Sequence, residues 1–271
     1  MTLGQLPQKL RAKRLAFIEP ARKSGDIVMS GPEDMGIKPQ VKCLACSLSR
    51  LCLPASLSVD EVEKLERIIR RNRPLKRGEY LFKADEPMEH VFALRSGVIK
   101  NFLIDTEGNE RVTGFVLPGE ILGLDAIGAS HYRSYALALD VSLVCSIRLD
   151  QLVDLSGQIP GLRYQLLHML SLGIQGKDEH LRCCHGRAEQ RLSLFLLGMA
   201  ARYQERGLRA DVLNLPMSRG DIANYLDLTL ETVSRLFSRF NQAGLLQCVG
   251  REVRLIDQQG LLKLSRMEEP N

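Results

Sequence analysis

The sequence predicts an α+β protein in which a domain of short antiparallel strands is followed by a long helix and a winged helix-turn-helix. After Pro74, short apolar runs alternate with turn residues at a spacing of about 8–12 residues, which is typical of a sandwich or barrel. Helical periodicity then extends from Gly161 to Leu197. Residues 214–257 carry the apolar positions of a helix-turn-helix followed by two short strands.

The composition is that of an ordinary globular protein. The 271 residues are 45% hydrophobic and 25% charged, which predicts one to three domains with a normal core. No run approaches the ~18–20 apolar residues that cross a bilayer, and the basic N-terminus lacks the apolar stretch of a secretory signal. We therefore expect a cytoplasmic, reducing location without membrane contact, where seven cysteines favour ligands, thiols or core residues over disulfides.

The N-terminal part divides into a tail and a short helix. Residues 1–40 are rich in Pro and Gly, so we expect a flexible tail with a short helix around 5–18. Ser58 is a suitable N-cap and Glu61 completes a capping box, which together predict a helix over 58–71.

The periodicity over 161–197 is too long for one ordinary globular helix. We expect a long helix that continues into the next domain and is buried against a second copy of itself. The apolar stripe assigned to its first half consists of Leu162, Leu166, Met169, Leu170 and Ile174.

The helix-turn-helix is the most specific fold signal. With Arg219 as its first position, Ala223 falls where the two helices approach and Asp227 falls at the turn. That turn requires a positive φ, which aspartate tolerates better than most residues. Gly250 and Arg251 then separate two short strands and predict a wing.

Three cysteines, Cys43-x2-Cys46-x5-Cys52, precede the first helix closely enough to converge on one metal centre. Thiolates select zinc or iron–sulfur clusters, and the spacing does not decide between them. Either site requires a fourth ligand. The candidates are Cys145, Cys183, Cys184 and Cys248, each of which is also a plausible core residue by pattern alone.

The second helix of the helix-turn-helix has an outward polar face. Arginine reads guanine and glutamate reads cytosine in the major groove, while hydroxyls suit phosphates or thymine methyl groups. The alternative is an ordinary amphipathic helix with a solvated face. Arg251 on the wing is a candidate phosphate contact. The outward residues are Thr229, Glu231, Thr232, Ser234, Arg235 and Arg239.

In this order, the cysteine trio, strand domain and winged helix resemble the CRP/FNR family of bacterial transcription regulators, and within it the oxygen-sensing FNR branch. The resemblance covers about Cys43 to Leu264. The segments that carry it are CLACSLSRLC (43–52), RSGVIK (95–100), TGFVLPGEILGLDAIG (113–128), SLVCSI around Cys145, SRGDIANYL (218–226) and LTLETVSRLFSRF (228–240).

The resemblance implies a cyclic-nucleotide-binding-type β-roll, a long dimerisation helix and a C-terminal winged helix-turn-helix. The implied domains are the flexible tail 1–40, a cysteine loop with the β-roll sensor domain at 41–158, the dimerisation helix at 159–190, and the DNA-binding domain at 191–271. It further implies one [4Fe–4S] cluster per subunit and a homodimer that binds an inverted repeat in double-stranded DNA when the cluster is intact.

The resemblance also assigns individual residues. The cluster ligands are Cys43, Cys46, Cys52 and Cys145, with Ser47 and Leu51 tuning the reaction with oxygen. The readers of a TTGAT-type half-site are Glu231, Ser234 and Arg235, and the surface for RNA polymerase is Gly108, Asn109 and Glu110. The chain departs from the family pattern at Asp227, which replaces the usual turn glycine, and in the polar, cysteine-rich stretch 182–187.

Two other functions remain open. A cyclic-nucleotide-responsive regulator of the same fold is suggested by Arg133-Ser134, which resembles a phosphate-gripping pair. However, Leu124 stands where the ribose requires a carboxylate, and Glu120 belongs to the preceding turn. A redox metalloprotein built on the cysteines is the other alternative, but no His, Glu or Asp constellation accompanies the thiols, and four cysteine ligands leave no open position.

Overall fold

The computed structural model of the protein describes residues 42–266. The tail expected at 1–40 and its short helix lie outside the described residues. The elements of the N-terminal part are α1 (Val59–Ile68), β1 (Ile69–Arg71), β2 (Tyr80–Phe82), β3 (His90–Ser96), β4 (Ile99–Ile104), β5 (Glu110–Val116), β6 (Ile121–Leu122), β7 (Tyr135–Ala138), β8 (Leu143–Arg148) and α2 (Leu149–Gln158). The C-terminal part comprises α3 (Pro160–Cys183), α4 (Ala188–Glu205), β9 (Val212–Asn214), α5 (Arg219–Tyr225), α6 (Leu230–Gln242), β10 (Leu246–Val249), β11 (Glu252–Leu255) and α7 (Gln258–Ser265).

Helix α1 begins at the predicted capping box. The Ser58 hydroxyl accepts from the Glu61 amide, and the Glu61 carboxylate accepts from the Ser58 amide at 2.8 Å. The helix ends earlier than expected, at Ile68, because the next three residues leave the helix and pair with β8. Local periodicity cannot detect this change, since the partner strand is distant in sequence.

The β-roll consists of two four-stranded antiparallel sheets with strand orders β1-β8-β3-β6 and β2-β7-β4-β5. Their facing side chains form a core that includes Leu94, Ile99 and Ile147. The strand-rich pattern after Pro74 is therefore confirmed as an antiparallel roll. Helix α2, which follows β8 directly and buries Leu152, was not predicted.

The long helix predicted over 161–197 is two helices. Helix α3 ends at Cys183 and α4 begins at Ala188, with Gly186 at φ 95° between them. The predicted apolar stripe also divides. Leu162 and Met169 are buried with the β-roll core, whereas Ile174 is 63% exposed. The exposed apolar residues of α3 are Tyr164, Leu167, Leu172, Ile174 and Leu181.

The winged helix-turn-helix is as predicted. Ala223 is buried between α5 and α6, and Asp227 has the positive φ, 53°, that the turn requires. Strands β10 and β11 pair around Gly250, and β9 adds a third strand that was not predicted.

The C-terminal domain is docked on the β-roll of the same chain. Phe115 of β5 contacts the rings of Phe195 and Tyr225, with centroid distances of 6.1 and 5.3 Å. Beside this apolar contact, the buried ammonium of Lys100 donates to Glu110 Oε1 at 2.6 Å and to Asp221 Oδ1 at 2.8 Å. Lys100 therefore joins the β-roll to the first helix of the helix-turn-helix.

We expect Lys100→Met to lower the free energy of unfolding by about 3 kcal/mol, because it leaves Asp221 largely buried without its cation. Burial alone raises the pKa of Asp221, but the hydrogen bonds from Lys100 and Ser218 outweigh it, so the net pKa is lowered. The Asp221–Lys100 pair thus stabilises the fold at neutral pH. This contribution is lost as the pH falls from 3.8, the ordinary aspartate value, through the lowered pKa.

Urea unfolding at pH 7 and at acid pH measures both effects. The control is Lys76→Met, which removes an exposed lysine and should change stability by less than about 0.5 kcal/mol. Equal stability of the two variants at pH 7 would contradict the assigned role of Lys100.

Candidate metal centre and nucleic-acid interface

The cysteine loop is held by its own backbone before α1. The Cys46 amide donates to the Cys43 carbonyl at 3.2 Å, and the Cys52 amide donates to the Leu48 carbonyl at 3.1 Å. Leu53 and Pro54, which follow the third cysteine, are buried. The loop therefore wraps back on itself and is anchored where it ends.

Four cysteines line one cavity. Cys43, Cys46 and Cys52 come from the loop, and Cys145 comes from β8 beneath it. Among the described thiols, this singles out Cys145 from the candidate partners of the trio. The Cys184 thiol instead donates to the Tyr225 carbonyl, and Cys248 accepts from Arg219. The remaining lining residues are Leu48, Ser49, Leu53, Pro54, Ile69, Arg71, Ala93, Leu94, Arg95 and Ile147.

Burial raises the pKa values of three of the cavity thiols. It raises the pKa of Cys52 to about 12 and also raises the pKa values of Cys43 and Cys145. For Cys43 the neighbouring Glu66 carboxylate adds to the effect. Metal binding at this cavity must therefore displace protons. Within residues 42–266, no group of three or more His, Cys, Asp or Glu side chains is placed to hold a metal ion.

An ion pair forms part of the cavity's surroundings. Glu66 of α1 accepts from the Cys43 amide at 2.9 Å and pairs with Arg71 of β1. In the antiparallel pairing of β1 with β8, Arg71 lies directly opposite Cys145. The wall of the cavity thus carries the cations Arg71 and Arg95, with the Glu66 carboxylate nearby.

Gln165 connects the cysteine loop with α3. This residue is 5% exposed, its amide Nε2 donates to the Cys52 carbonyl at 3.3 Å, and its Oε1 accepts from the Ser56 hydroxyl at 3.1 Å. The helix lies close to the loop, since a Cβ built on Gly161 would be 3.1 Å from the Ser56 carbonyl oxygen. Gln165 was not predicted, although a polar residue on a buried apolar stripe indicates a specific hydrogen-bonding role.

The two proposed tuning residues lie outside the cavity lining. Ser47 is exposed in the loop. Leu51 packs on Gly119, where an added Cβ would lie 3.0 Å from the Leu51 Cβ. Leu51 therefore joins the loop to the turn between β5 and β6.

The outward face of α6 is accessible. Glu231, Ser234 and Arg235 are exposed, and Thr232 is partly buried. Thr229 is the N-cap, and its hydroxyl accepts from the Thr232 amide at 3.2 Å. Two further predicted contacts are exposed as well: Arg239, which pairs with Glu189 of α4, and Arg251, at the wing turn.

The residues predicted to contact RNA polymerase lie where β4 and β5 join. Gly108 has a φ of 86° and, with Asn109, is exposed at the tip. Glu110 is already engaged in the docking of the C-terminal domain, because its carboxylate pairs with Lys100 and its carbonyl accepts from Asn224.

The residues considered for binding a cyclic nucleotide make other contacts or are exposed. The Glu120 carboxylate accepts from Arg202 at 2.8 Å and from Arg206 at 2.5 Å, both on α4. Leu124 packs against the β-roll core, and Arg133 is exposed. Within the described part of the chain, no helix is both long and apolar enough to cross a membrane.

A β-roll joined to an accessible recognition helix with a wing defines a DNA-binding transcription regulator. Residues 72–158 match the cyclic nucleotide-binding domain, and residues 190–264 match the Crp-like helix-turn-helix domain. The chain belongs to the CRP/FNR family of transcription regulators, which are not enzymes.

Curated relatives show this membership. The chain is 41% identical over 226 residues to the fumarate and nitrate reduction regulatory protein of Escherichia coli, covering 83% of this chain and 90% of that protein. It is 43% identical over 220 residues to the transcriptional activator protein anr of Pseudomonas aeruginosa, covering 81% and 90%. Among solved structures, FixK2 from Bradyrhizobium japonicum matches with a TM-score of 0.68 at 28% identity, covering 74% of this chain and 99% of that one.

Proposed function

We propose that this transcription regulator responds to oxygen through one [4Fe–4S] cluster per subunit. It binds an inverted-repeat, TTGAT-type operator as a homodimer while the cluster is intact. The observation that carries the proposal is the set of four cysteines that line one cavity, in a chain whose recognition helix is accessible.

The cluster ligands would be Cys43, Cys46, Cys52 and Cys145. Four cysteine thiols suit either a zinc ion or a [4Fe–4S] cluster, and the resemblance to the oxygen-sensing FNR branch favours the cluster. When bound, the cluster supplies a redox centre that oxygen can alter.

Gln165 connects the proposed cluster site with the helix proposed to form the dimer. A bound cluster ties the loop cysteines to Cys145 and so fixes the loop on the β-roll. The amide of Gln165 then holds α3 against that loop through Cys52 and Ser56. Losing the cluster frees the loop and loosens the position of α3.

The exposed apolar residues of α3 are the proposed dimer seam. Leu167, Ile174 and Leu181 repeat at helical spacing and are exposed in the single chain. Asp178 lies on the same side, and two-fold symmetry brings it near its copy, where like charges oppose association. Dimerisation is therefore weak enough for the state of the cluster to decide it.

The dimer would present two recognition helices to two half-sites whose centres are about 10–11 bp apart. Arg235 and Glu231 can read the two members of a G·C pair, with Ser234 beside them. Thr229, Thr232, Arg239 and Arg251 supply backbone contacts. The tip residues Gly108 and Asn109, with Glu110, form the proposed surface for RNA polymerase.

A cyclic nucleotide is less well supported as the signal. The carboxylate of Glu120 is bound by Arg202 and Arg206, and the position that requires an acid carries Leu124. Tight binding of cyclic AMP measured by calorimetry would reverse this preference.

Anaerobically purified protein should be brown, with about four irons and four sulfides per chain, and should bleach in air within minutes. Absorbance spectra, with iron and sulfide analysis before and after an air titration, test the proposal. Cys145→Ala should lose the iron, and Cys248→Ala should keep it. Colourless protein with one zinc per chain would refute the oxygen sensor and leave the transcription regulator standing.

Gln165→Leu should keep the iron but weaken dimerisation about tenfold, because it removes both hydrogen bonds to the loop, worth about 1.4 kcal/mol together. Cys145→Ala should lose iron, dimer and operator binding together. Analytical ultracentrifugation under nitrogen measures dimerisation, and Gln175→Leu on the exposed part of α3 is the control. A cluster-loaded Gln165→Leu that dimerises like the wild type would disprove this route.

Arg235→Ala should cost about 1–3 kcal/mol at one base pair and relax discrimination there. Arg251→Ala should instead weaken binding to all sequences alike and reduce the salt slope by about one. Affinities for operators with every single-base change, measured at several salt concentrations, separate the two roles. If Arg235→Ala lost the same affinity for every operator, Arg235 would not read a base in the major groove.

A further inference from the structure

The wall of the cysteine cavity contains a hydrogen-bond donor that the fold does not satisfy. Arg71 has a side chain only 12% exposed, and one of its terminal nitrogens pairs with Glu66. Its Nε is buried and has no hydrogen-bond partner in the structure. A buried N–H without an acceptor destabilises a protein, so its presence at a binding cavity points to an acceptor supplied by the ligand.

The strand pairing fixes the direction of this donor. Arg71 of β1 lies opposite Cys145 of β8, and directly opposed residues of antiparallel strands project on the same face of the sheet. Both residues line the cavity. Arg70, the preceding residue of β1, is exposed, as expected for the other face.

The charges around the cavity favour an anion. Arg71 and Arg95 are in its wall, and Glu66 is the neighbouring carboxylate that offsets part of the charge of Arg71. An iron–sulfur cluster with four thiolates has net negative charge, and its sulfurs accept hydrogen bonds.

We infer that the Nε–H of Arg71 donates to a sulfur of the bound cluster, either the Cys145 thiolate or an inorganic sulfide, and helps to retain the cluster. This inference rests on the proposed function. Arg71 is a positioning residue, since it binds the ligand's sulfur while the cysteines bind the iron. Outer hydrogen bonds of this kind alter metal affinity about 10–100-fold.

The test uses the full chain, reconstituted with iron and sulfide under nitrogen. Arg71→Met removes the donor and the charge while keeping an unbranched apolar side chain, and Arg70→Met is the matched control on the exposed face. We expect Arg71→Met to release iron to a ferrous chelator about tenfold faster than the wild type. Arg70→Met should release iron at the wild-type rate.

Metal-free protein supplies a second measurement. Metal-free Arg71→Met should unfold at a lower temperature than the metal-free wild type, because Glu66 loses its cation, and this measurement gives the structural contribution of the ion pair by itself. A lower unfolding temperature together with an unchanged rate of iron release shows a purely structural ion pair and overturns the inference.

The outcomes separate this inference from the proposed function. A wild-type protein that takes up no iron refutes the cluster itself. If the wild type binds the cluster and Arg71→Met retains its iron equally well, only the role of Arg71 is refuted. Should Arg71→Met fail to fold, Arg71→Lys keeps the charge beside Glu66 without the Nε donor, and wild-type iron retention in that variant likewise overturns the inference.

Discussion

The antiparallel pairing of β1 with β8 is the constraint on which the cysteine cavity depends. It places Cys145 opposite Arg71 and directly beneath the loop that carries the other three thiols. Without this pairing, Cys145 would not lie beside the three loop cysteines. The early end of α1 has the same origin, since Ile69–Arg71 can pair with β8 only by leaving the helix.

Short contacts connect the cysteine loop with α3 and with α4. The Cys52 carbonyl accepts a hydrogen bond from Gln165 of α3, and the outer face of α3 carries exposed apolar residues. Leu51 packs on Gly119, beside Glu120, which holds α4 through Arg202 and Arg206. These packed and hydrogen-bonded groups are the contacts through which the proposed cluster would act on α3 and on the DNA-binding domain.

The features that sequence alone predicted are those determined by neighbouring residues. The capping box at Ser58, the positive φ of Asp227 and the wing around Gly250 follow from side-chain chemistry within a few positions. Short motifs of this kind in this order predicted the fold class and family, and the matching domains and relatives confirm both.

Features that depend on contacts between residues far apart in sequence could not be predicted from local patterns. The division of the long helix after Cys183 and the burial of only part of its apolar stripe depend on packing against the β-roll. Pattern alone left Cys145 among several candidate partners of the trio, and the fold shows that it lines the same cavity. The sequence could mark Gln165 as unusual on its apolar stripe, but its partners Cys52 and Ser56 are far away in the chain. The place of Arg71 opposite Cys145 likewise depends on the strand register.

The charges around the cavity suit the proposed cluster. Arg71 and Arg95 are in its wall, and Glu66 offsets part of the charge of Arg71. An anionic cluster would face these two cations and would give the unsatisfied Nε of Arg71 an acceptor. Because a buried donor is stabilised only when it is paired, binding of the proposed cluster would also stabilise β1, and with it the strand pairing that places Cys145 in the cavity.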